Sequence, residues 1–122
     1  MSFSRIPVRI EVEGVGSFEG EFIRFYAPMT VRALLNMLPI GGAIALWDYA
    51  IYFQIELSRG AEKIVRRIKP GDILYWPPGS CIALAFSEAS PPAQMVKIGE
   101  YEGDYEKLKD ARAGARIRIS KL

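Results

Sequence analysis

The segment over residues 69–79 limits the fold of this chain more strongly than any other stretch of the sequence. It contains a Pro-Gly pair, a short apolar and aromatic run, Ile73-Leu74-Tyr75-Trp76, and then a Pro-Pro-Gly sequence. Proline cannot donate a backbone hydrogen bond and glycine adopts positive φ readily, so both ends of the run favour a chain reversal. The segment therefore predicts a short β-strand between two turns, as expected in a compact β-protein.

Alternating apolar residues predict further strands along the chain. The clearest case is residues 6–12, where Ile6, Val8, Ile10 and Val12 share one face. Turn residues divide the remaining β-type sequence into strands over residues 17–26, 43–57, 63–68, 73–76, 81–86, 95–100 and 116–119. A change of phase near residues 22–23 predicts a β-bulge in the second strand. Residues 58–60 are predicted to form a hairpin turn.

Two short helices are also predicted. Thr30 is expected to be the N-cap of the first helix, which carries Leu34 and Leu38 at helical spacing and ends before Pro39. Asp104 is expected to be the N-cap of the second helix, over residues 105–110.

Eight short strands and two helices in 122 residues predict a single domain over residues 1–122. Because closure of a sheet removes its exposed edges, we expect a mainly β fold, a closed β-barrel of about eight strands. Within residues 43–57, the alternation places Trp47 and Tyr49 on the same face as Ile51 and Phe53. The predicted core residues are Ile10, Phe22, Leu34, Phe53, Leu84 and Ile117.

The composition excludes several kinds of chemistry. Histidine is absent and Cys81 is the only cysteine. Ser–His and Cys–His nucleophiles, an intrachain disulfide and the commonest transition-metal sites are therefore excluded. We expect no metal and no cofactor, and no catalytic residue is identified. Cys81 precedes an apolar run and is expected to be a buried, unreactive thiol.

Composition also bears on location and partners. No apolar run reaches the roughly 20 residues that span a bilayer, and the N-terminus lacks a signal-peptide pattern. We therefore expect a cytoplasmic protein without a membrane partner. The net charge is only +2, and the basic residues within 59–69 have no aromatic residues between them, which argues against nucleic acid as a partner. Asparagine and glutamine are rare, which favours a thermophilic source.

Several segments resemble cyclophilin sequences. Residues 20–25 followed by 28–35 are similar to the opening of a cyclophilin. Residues 46–48, 51–53, 71–79 and 113–119 resemble a small bacterial and archaeal family of cyclophilin-like proteins without an assigned activity; the Gly-Asp to Pro-Pro-Gly segment is the most specific of them. The resemblance implies a closed β-barrel of about eight strands with helices at its ends. Cyclophilins carry a catalytic arginine in a His-Arg segment that this chain lacks, so the resemblance does not extend to prolyl isomerisation.

The candidate ligand-binding residues are Tyr52, Gln54, Tyr75 and Trp76. A phenol beside an amide could hold a peptide carbonyl, and neighbouring aromatic rings could form a platform for a peptide or a small molecule. The alternative is structural: Tyr75 and Trp76 pack on opposite faces of their strand, and Tyr52 and Gln54 lie on a solvated exterior. Asp72 is expected to accept hydrogen bonds within the turn. The leading hypothesis is an uncharacterised peptide- or small-ligand-binding module without classical catalytic residues.

Two further hypotheses stay open. The alternative function is peptidyl-prolyl cis/trans isomerisation, in which an arginine favours the twisted amide. Arg24 and Arg32 are the arginines nearest the cyclophilin-like opening. The other hypothesis is a homo-oligomer, because the apolar residues Met95, Val96 and Ile98 are placed near a barrel edge.

Overall fold

The computed structural model describes residues 4–122, which contain nine β-strands, two α-helices and a 3₁₀ turn. The strands are β1 (Arg5–Val12), β2 (Gly16–Ile23), β3 (Ile40–Ala43), β4 (Ala45–Leu46), β5 (Ala50–Gln54), β6 (Asp72–Trp76), β7 (Cys81–Ala85), β8 (Val96–Glu102) and β9 (Arg116–Lys121). The helices are α1 (Pro28–Met37) and α2 (Tyr105–Leu108), and the 3₁₀ turn is Pro77–Gly79. Within this described part of the chain, neither helix is long and apolar enough to cross a membrane.

The strands form one sheet in the order β3-β9-β1-β2-β8-β6-β7-β5-β4, and every neighbouring pair is antiparallel. The two edge strands follow each other in the chain, with only Ile44 between them. Its N–H donates to the Ala115 carbonyl at 2.9 Å, and its carbonyl accepts from the Gly114 N–H at 2.8 Å. This short segment pairs with β9 at one end and β5 at the other, so it nearly closes the sheet into a barrel. The mainly β barrel with two helices predicted from the sequence is confirmed.

The barrel interior holds the main hydrophobic core. Alternation along β1 turns Val8 and Ile10 inward and leaves Arg9 exposed. Helix α1 adds Val31 to the same cluster. The predicted core is confirmed, since each of its members is at most 3% exposed: Ile10, Phe22, Leu34, Phe53, Leu84 and Ile117.

A second, smaller apolar cluster lies on the outer side of β5, β7 and β6. Successive residues of a strand face opposite sides, so Ile82 and Leu84 of β7 enter the barrel while Ala83 and Ala85 face outward. Residues of two loops cover this outer side. The buried members of the outer cluster are Ala50, Ile68, Leu74, Ala83, Ala85 and Met95.

The prediction of a strand over residues 63–68 is wrong. This segment makes only two isolated bridges, Ile64 to Val96 and Ile68 to Ala89. A strand here would turn both Ile64 and Ile68 inward. Ile68 is buried, but Ile64 is 62% exposed and does not face the core. Residues 58–60 accordingly belong to a long irregular connection between β5 and β6 rather than to a hairpin turn.

The bulge predicted in the second strand is wrong, and the sheet has a register shift between other strands. The pairing of β2 with β1 continues without a shift through Phe22 and Ile23, which end the strand. The register shift occurs between β6 and β8, at Ile73 and Leu74. Two adjacent apolar residues at a strand end produced the same change of phase that a bulge would produce.

One helix start was predicted correctly and the other was not. Asp104 caps α2, since its Oδ1 accepts from the Glu106 N–H at 3.1 Å. Helix α1 instead begins at Pro28, and Thr30 lies in its first turn. The hydroxyl of Thr30 donates to Glu62 at 2.7 Å, so a distant carboxylate satisfies the start of this helix.

The surface predicted for self-association is not exposed. Met95, Val96 and Ile98 are all fully buried, with Met95 in the outer cluster and the other two in the barrel core. A covering segment over residues 63–69, unforeseen from the sequence, explains part of this burial: Val65 N–H donates to the Met95 carbonyl at 2.9 Å. These residues therefore cannot form an interface in the folded protein.

Candidate ligand-binding site

The outer face of β7 forms a narrow floor of small side chains. Cys81, Ala83 and Ala85 face outward, and their larger neighbours in the strand face the barrel interior. Strands β5 and β6 flank β7 on its two sides. Small residues on a central strand, between larger ones on its neighbours, leave a depression along the strand, which we call the channel. Other residues of the outer cluster cover its floor, since Ala83 and Ala85 are fully buried.

Cross-strand pairing identifies the walls of this channel. Gln54 of β5 and Trp76 of β6 lie on either side of Cys81. One step along, Tyr52 of β5 lies beside Ala83. Tyr52 and Trp76 are partly buried, and Gln54 is exposed. The site therefore offers two aromatic walls and one exposed amide.

The indole of Trp47 lies between the two aromatic walls. Its ring stacks on Tyr52, with centroids 4.2 Å apart and an interplanar angle of 19°. The same ring meets Trp76 edge to face, at 5.8 Å and 89°. Tyr49 adds a tilted contact at 5.7 Å. The four rings form one continuous cluster, which we call the aromatic cluster: Trp47, Tyr49, Tyr52 and Trp76.

The sequence does not identify Trp47 as a site residue, because its alternation predicts one strand over residues 43–57. The chain turns at Asp48, where the Trp47 N–H donates to the Ala50 carbonyl at 2.9 Å. The turn breaks the alternation, so Trp47 and Tyr49 leave the inward face on which Ile51 and Phe53 remain. Aspartate within an aromatic run was the available signal, since it favours turns.

Tyr75 is separated from the other predicted site residues. It is fully buried inside the barrel, where its hydroxyl donates to the Leu57 carbonyl at 3.0 Å and accepts from the Arg59 N–H at 3.2 Å. Its neighbour Trp76 faces the opposite side, as the structural alternative required. The structure thus brings Tyr52, Gln54 and Trp76 to one face and places Tyr75 on the other.

The side chains of the aromatic cluster, Gln54 and Cys81 are of uncharged types, and a hydrogen bond fixes one of the aromatic walls. The Trp76 indole N–H donates to the Ala93 carbonyl at 3.0 Å, which fixes that ring. Burial raises the pKa of the Tyr49 phenol, and burial likewise raises the pKa of the Cys81 thiol. Cys81 is a free, buried cysteine whose Sγ lies 3.1 Å from the Gly79 carbonyl, as predicted for an unreactive thiol. These groups suit a neutral ligand better than an ion.

Asp72, at the opposite end of β6 from Trp76, is already paired. Asp72 Oδ2 accepts from the Lys69 N–H at 2.9 Å, which confirms its predicted role in the turn, and Oδ1 lies 3.1 Å from Lys97 Nζ. Among residues 4–122, no group of three or more acidic or cysteine side chains is arranged to hold a metal ion. Arg24 follows β2, with β8 between that strand and β6, and Arg32 is exposed on α1. Neither arginine belongs to the aromatic cluster.

A separate groove of about 840 Å³ lies where the β1–β2 turn meets β3 and β9. Two of its acidic residues lie beside β9. Glu13 accepts from the Arg116 N–H at 3.1 Å, and Glu11 lies opposite Arg118 in the register of β1 and β9. Despite its volume, this groove has no aromatic wall, so the aromatic cluster is the stronger candidate site.

Comparison with known proteins supports the fold. A family model described as cyclophilin-like matches residues 6–120. The solution structure of the hypothetical protein AF2241 from Archaeoglobus fulgidus is similar, with a TM-score of 0.77 and 27% identity over 98% of this chain and 96% of that one. The structure of McbB in complex with tryptophan has a TM-score of 0.71 and 12% identity, over 93% of this chain and 44% of that one, a likeness of fold alone. None of the curated proteins gives a significant match.

The family match covers the whole barrel. The matched residues run from β1 into β9, and so include every strand of the barrel and both helices. The nearly closed barrel and its two helices follow the expectation drawn from the sequence. The chain therefore belongs to the cyclophilin-like family.

Proposed function

We propose that this protein binds a peptide or a neutral small molecule through the aromatic cluster and Gln54, without covalent chemistry. The observation that carries the proposal is the set of aromatic rings gathered on one outer face of the barrel beside an exposed amide. Ring faces supply apolar contact area at a low cost in side-chain entropy, and an amide can donate to and accept from a peptide bond. Tyr75 is not part of this proposal, because it lies inside the barrel.

The chain offers a direct optical test. Trp47 and Trp76 are its two tryptophans, and both belong to the aromatic cluster. A change in tryptophan fluorescence during titration with a peptide or small-molecule library would therefore report on this site. We expect binding ligands to change the emission and to raise the melting temperature, as any ligand of the native state does.

Matched variants locate the binding. Tyr52→Ala should weaken any ligand found in this way by about tenfold, comparable to the loss of one good aromatic contact. Phe25→Ala is the control, because Phe25 is a 72% exposed aromatic residue far from β5, in contact with Lys63. Equal losses in the two variants, or a library without a single binder, would refute the proposal.

Prolyl isomerisation is not favoured. Arg24 and Arg32 do not reach the aromatic cluster, and the cyclophilin His-Arg segment is absent from the sequence. A protease-coupled assay with a proline peptide should show no acceleration at micromolar protein. Acceleration that disappears in Arg24→Ala would reverse this conclusion.

Three properties of the whole chain are proposed on composition and pattern. We infer that residues 1–122 fold as one cooperative unit, in the cytoplasm of a thermophilic organism. A single calorimetric transition would support the one cooperative unit, and a melting temperature above the about 45–65 °C typical of mesophile domains would support the thermophilic source. Detection of the native protein in the cytoplasmic fraction would support the cytoplasmic location.

A further inference from the structure

Trp47 occupies the place where a ligand ring would lie. Tyr52 and Trp76 stand on strands that flank β7, so their backbones are about 9–10 Å apart, twice the strand spacing. Only Ala83 and Cys81 lie between them on the floor. The gap is filled by the Trp47 indole, stacked on Tyr52 at 4.2 Å and edge-on to Trp76 at 5.8 Å.

The three rings differ in how firmly they are held. Tyr52 belongs to β5, which is paired on both sides, and Trp76 is fixed by its hydrogen bond to the Ala93 carbonyl. Trp47 instead lies on the turn between the two-residue strand β4 and β5. Within residues 4–122, its indole N–H takes part in no hydrogen bond. The central ring is therefore held by ring contacts and not by a hydrogen bond.

A second place for the indole exists beside the same turn. A cavity of about 350 Å³ is lined by Leu46, Trp47 and Asp48 of the turn and by Phe86, Ser87, Leu108 and Lys109. Leu46, Phe86 and Leu108 are apolar and the other side chains around them are polar, so the ring would keep part of its apolar contact there. Such an exchange lowers the cost of opening the channel.

We infer that Trp47 is a displaceable occupant of the binding channel, and that the ligand is a planar aromatic ring that takes its place. The ring can belong to a free small molecule or to an aromatic side chain of a peptide. This inference rests on the proposed function and makes it specific. An indole already fits between Tyr52 and Trp76, so the channel has the width and the ring faces that such a ligand needs.

Free indole is the first probe. We expect Trp47→Ala to bind indole at least about tenfold more tightly than the wild type, because the ligand then displaces no ring; tenfold corresponds to about 1.4 kcal/mol. Trp47→Phe keeps a ring in the channel and should stay close to the wild type. Trp47→Leu provides a second variant without a planar ring, should Trp47→Ala not fold. Circular dichroism and melting curves check the fold of each variant.

Nuclear magnetic resonance shows where the ligand goes. The two tryptophans give two indole N–H signals, which Trp47→Phe assigns. Indole should shift the Trp47 signal of the wild type strongly. The Trp76 signal should remain that of a hydrogen-bonded N–H, because its bond to the Ala93 carbonyl does not involve Trp47. Replacing indole by N-acetyl-tryptophanamide or by a short tryptophan peptide distinguishes a free ring from a peptide side chain, and N-acetyl-prolinamide should not bind.

The outcomes separate this inference from the proposed function. If a ligand binds the wild type and Trp47→Ala weakens it, Trp47 is a wall of the site; the inference is then wrong and the proposed function stands. If indole binds Trp47→Ala no better than the wild type, the inference is also wrong. If neither protein binds any aromatic or peptide probe, both proposals fail. Tighter indole binding by Trp47→Ala or Trp47→Leu, with Trp47→Phe unchanged, supports the inference.

Discussion

Lys97 of β8 bridges two carboxylates, with its Nζ 3.1 Å from Oδ1 of Asp72 and 2.8 Å from Oε2 of Glu100. The side chains of Asp72 and Lys97 are only 5% and 20% exposed. Asp72 also accepts from the Lys69 N–H, so one carboxylate closes the turn before β6 and binds β8. Removing one partner of an ion pair shielded in this way costs more than removing one from an exposed pair, because the remaining charge stays poorly solvated.

Asp72→Asn should destabilise the protein by about 1–3 kcal/mol, since it keeps an acceptor for the turn but removes the charge facing Lys97. Urea denaturation measures this free energy of unfolding. Glu88→Gln is the matched control, because Glu88 and Arg67 form a 3.7 Å pair in which both side chains are more than 60% exposed. The control should cost less than about 0.5 kcal/mol. Equal losses would contradict the shielding argument.

Lys97 should also govern stability at alkaline pH. Burial lowers the pKa of Lys97, but hydrogen bonds and charges from Glu100 and Asp72 outweigh it, so the pKa is raised. The stabilising charge is fully present below the unfolded pKa of about 10.4 and is lost as pH rises through the higher folded value. Lys97→Met should therefore show a shallower fall in the free energy of unfolding above about pH 10.4. Parallel falls in the two proteins would rule out this role.

Glu62 should make the start of α1 sensitive to acid. Burial raises the pKa of Glu62, but hydrogen bonds from the Thr30 hydroxyl and from the N–H groups of Met29 and Thr30 outweigh it, so the pKa is lowered. This contribution is present above the unfolded pKa of about 4.3 and is lost as pH falls through the folded value. Glu62→Gln should cost about 0.5–1 kcal/mol at pH 7, as for other helix caps. Thermal unfolding at pH 7 and at acid pH measures this change. Glu56→Gln, at an exposed glutamate, should change the stability little in the same measurement.

Tyr75→Phe should weaken the fold and leave ligand binding unchanged. Its hydroxyl holds Leu57 and Arg59 of the connection between β5 and β6, and its removal leaves both backbone groups without their partner. We expect a loss of about 1–3 kcal/mol in chemical denaturation and faster hydrogen exchange at the Arg59 amide. A large loss of ligand affinity would show that the barrel interior takes part in binding.

Gly99→Ala should be among the most destabilising single substitutions. A Cβ at this position would lie 2.0 Å from the Glu21 carbonyl oxygen, because β2 and β8 approach closely there. We expect a cost of about 3 kcal/mol or more, measured by thermal unfolding. Gly60→Ala is the control, since a Cβ there meets nothing within 4 Å, and it should be neutral or stabilising by about 0.4–1 kcal/mol. A neutral Gly99→Ala would mean that the strands can separate easily.

Features that depend on near neighbours in the chain could be predicted from the sequence. The alternation of Ile6 to Val12 predicted β1, and the prolines around Ile73 to Trp76 predicted β6. Asp104 was recognised as a cap because its partner lies two residues away. Local spacing also identified the core residues, since strand alternation alone determines which side chains share a face.

Features that depend on distant neighbours were decided only by the tertiary structure. Thr30 could not be placed correctly, because Glu62 caps α1 from 32 residues away. Met95 was predicted to be exposed because nothing in its own strand indicates that residues 63–69 cover it. The aromatic cluster likewise required the turn at Asp48 to fold back over β7. The sequence by itself thus determined most of the strands, the core and the family resemblance, whereas the candidate channel and its central ring exist only because separate strands meet in the nearly closed barrel.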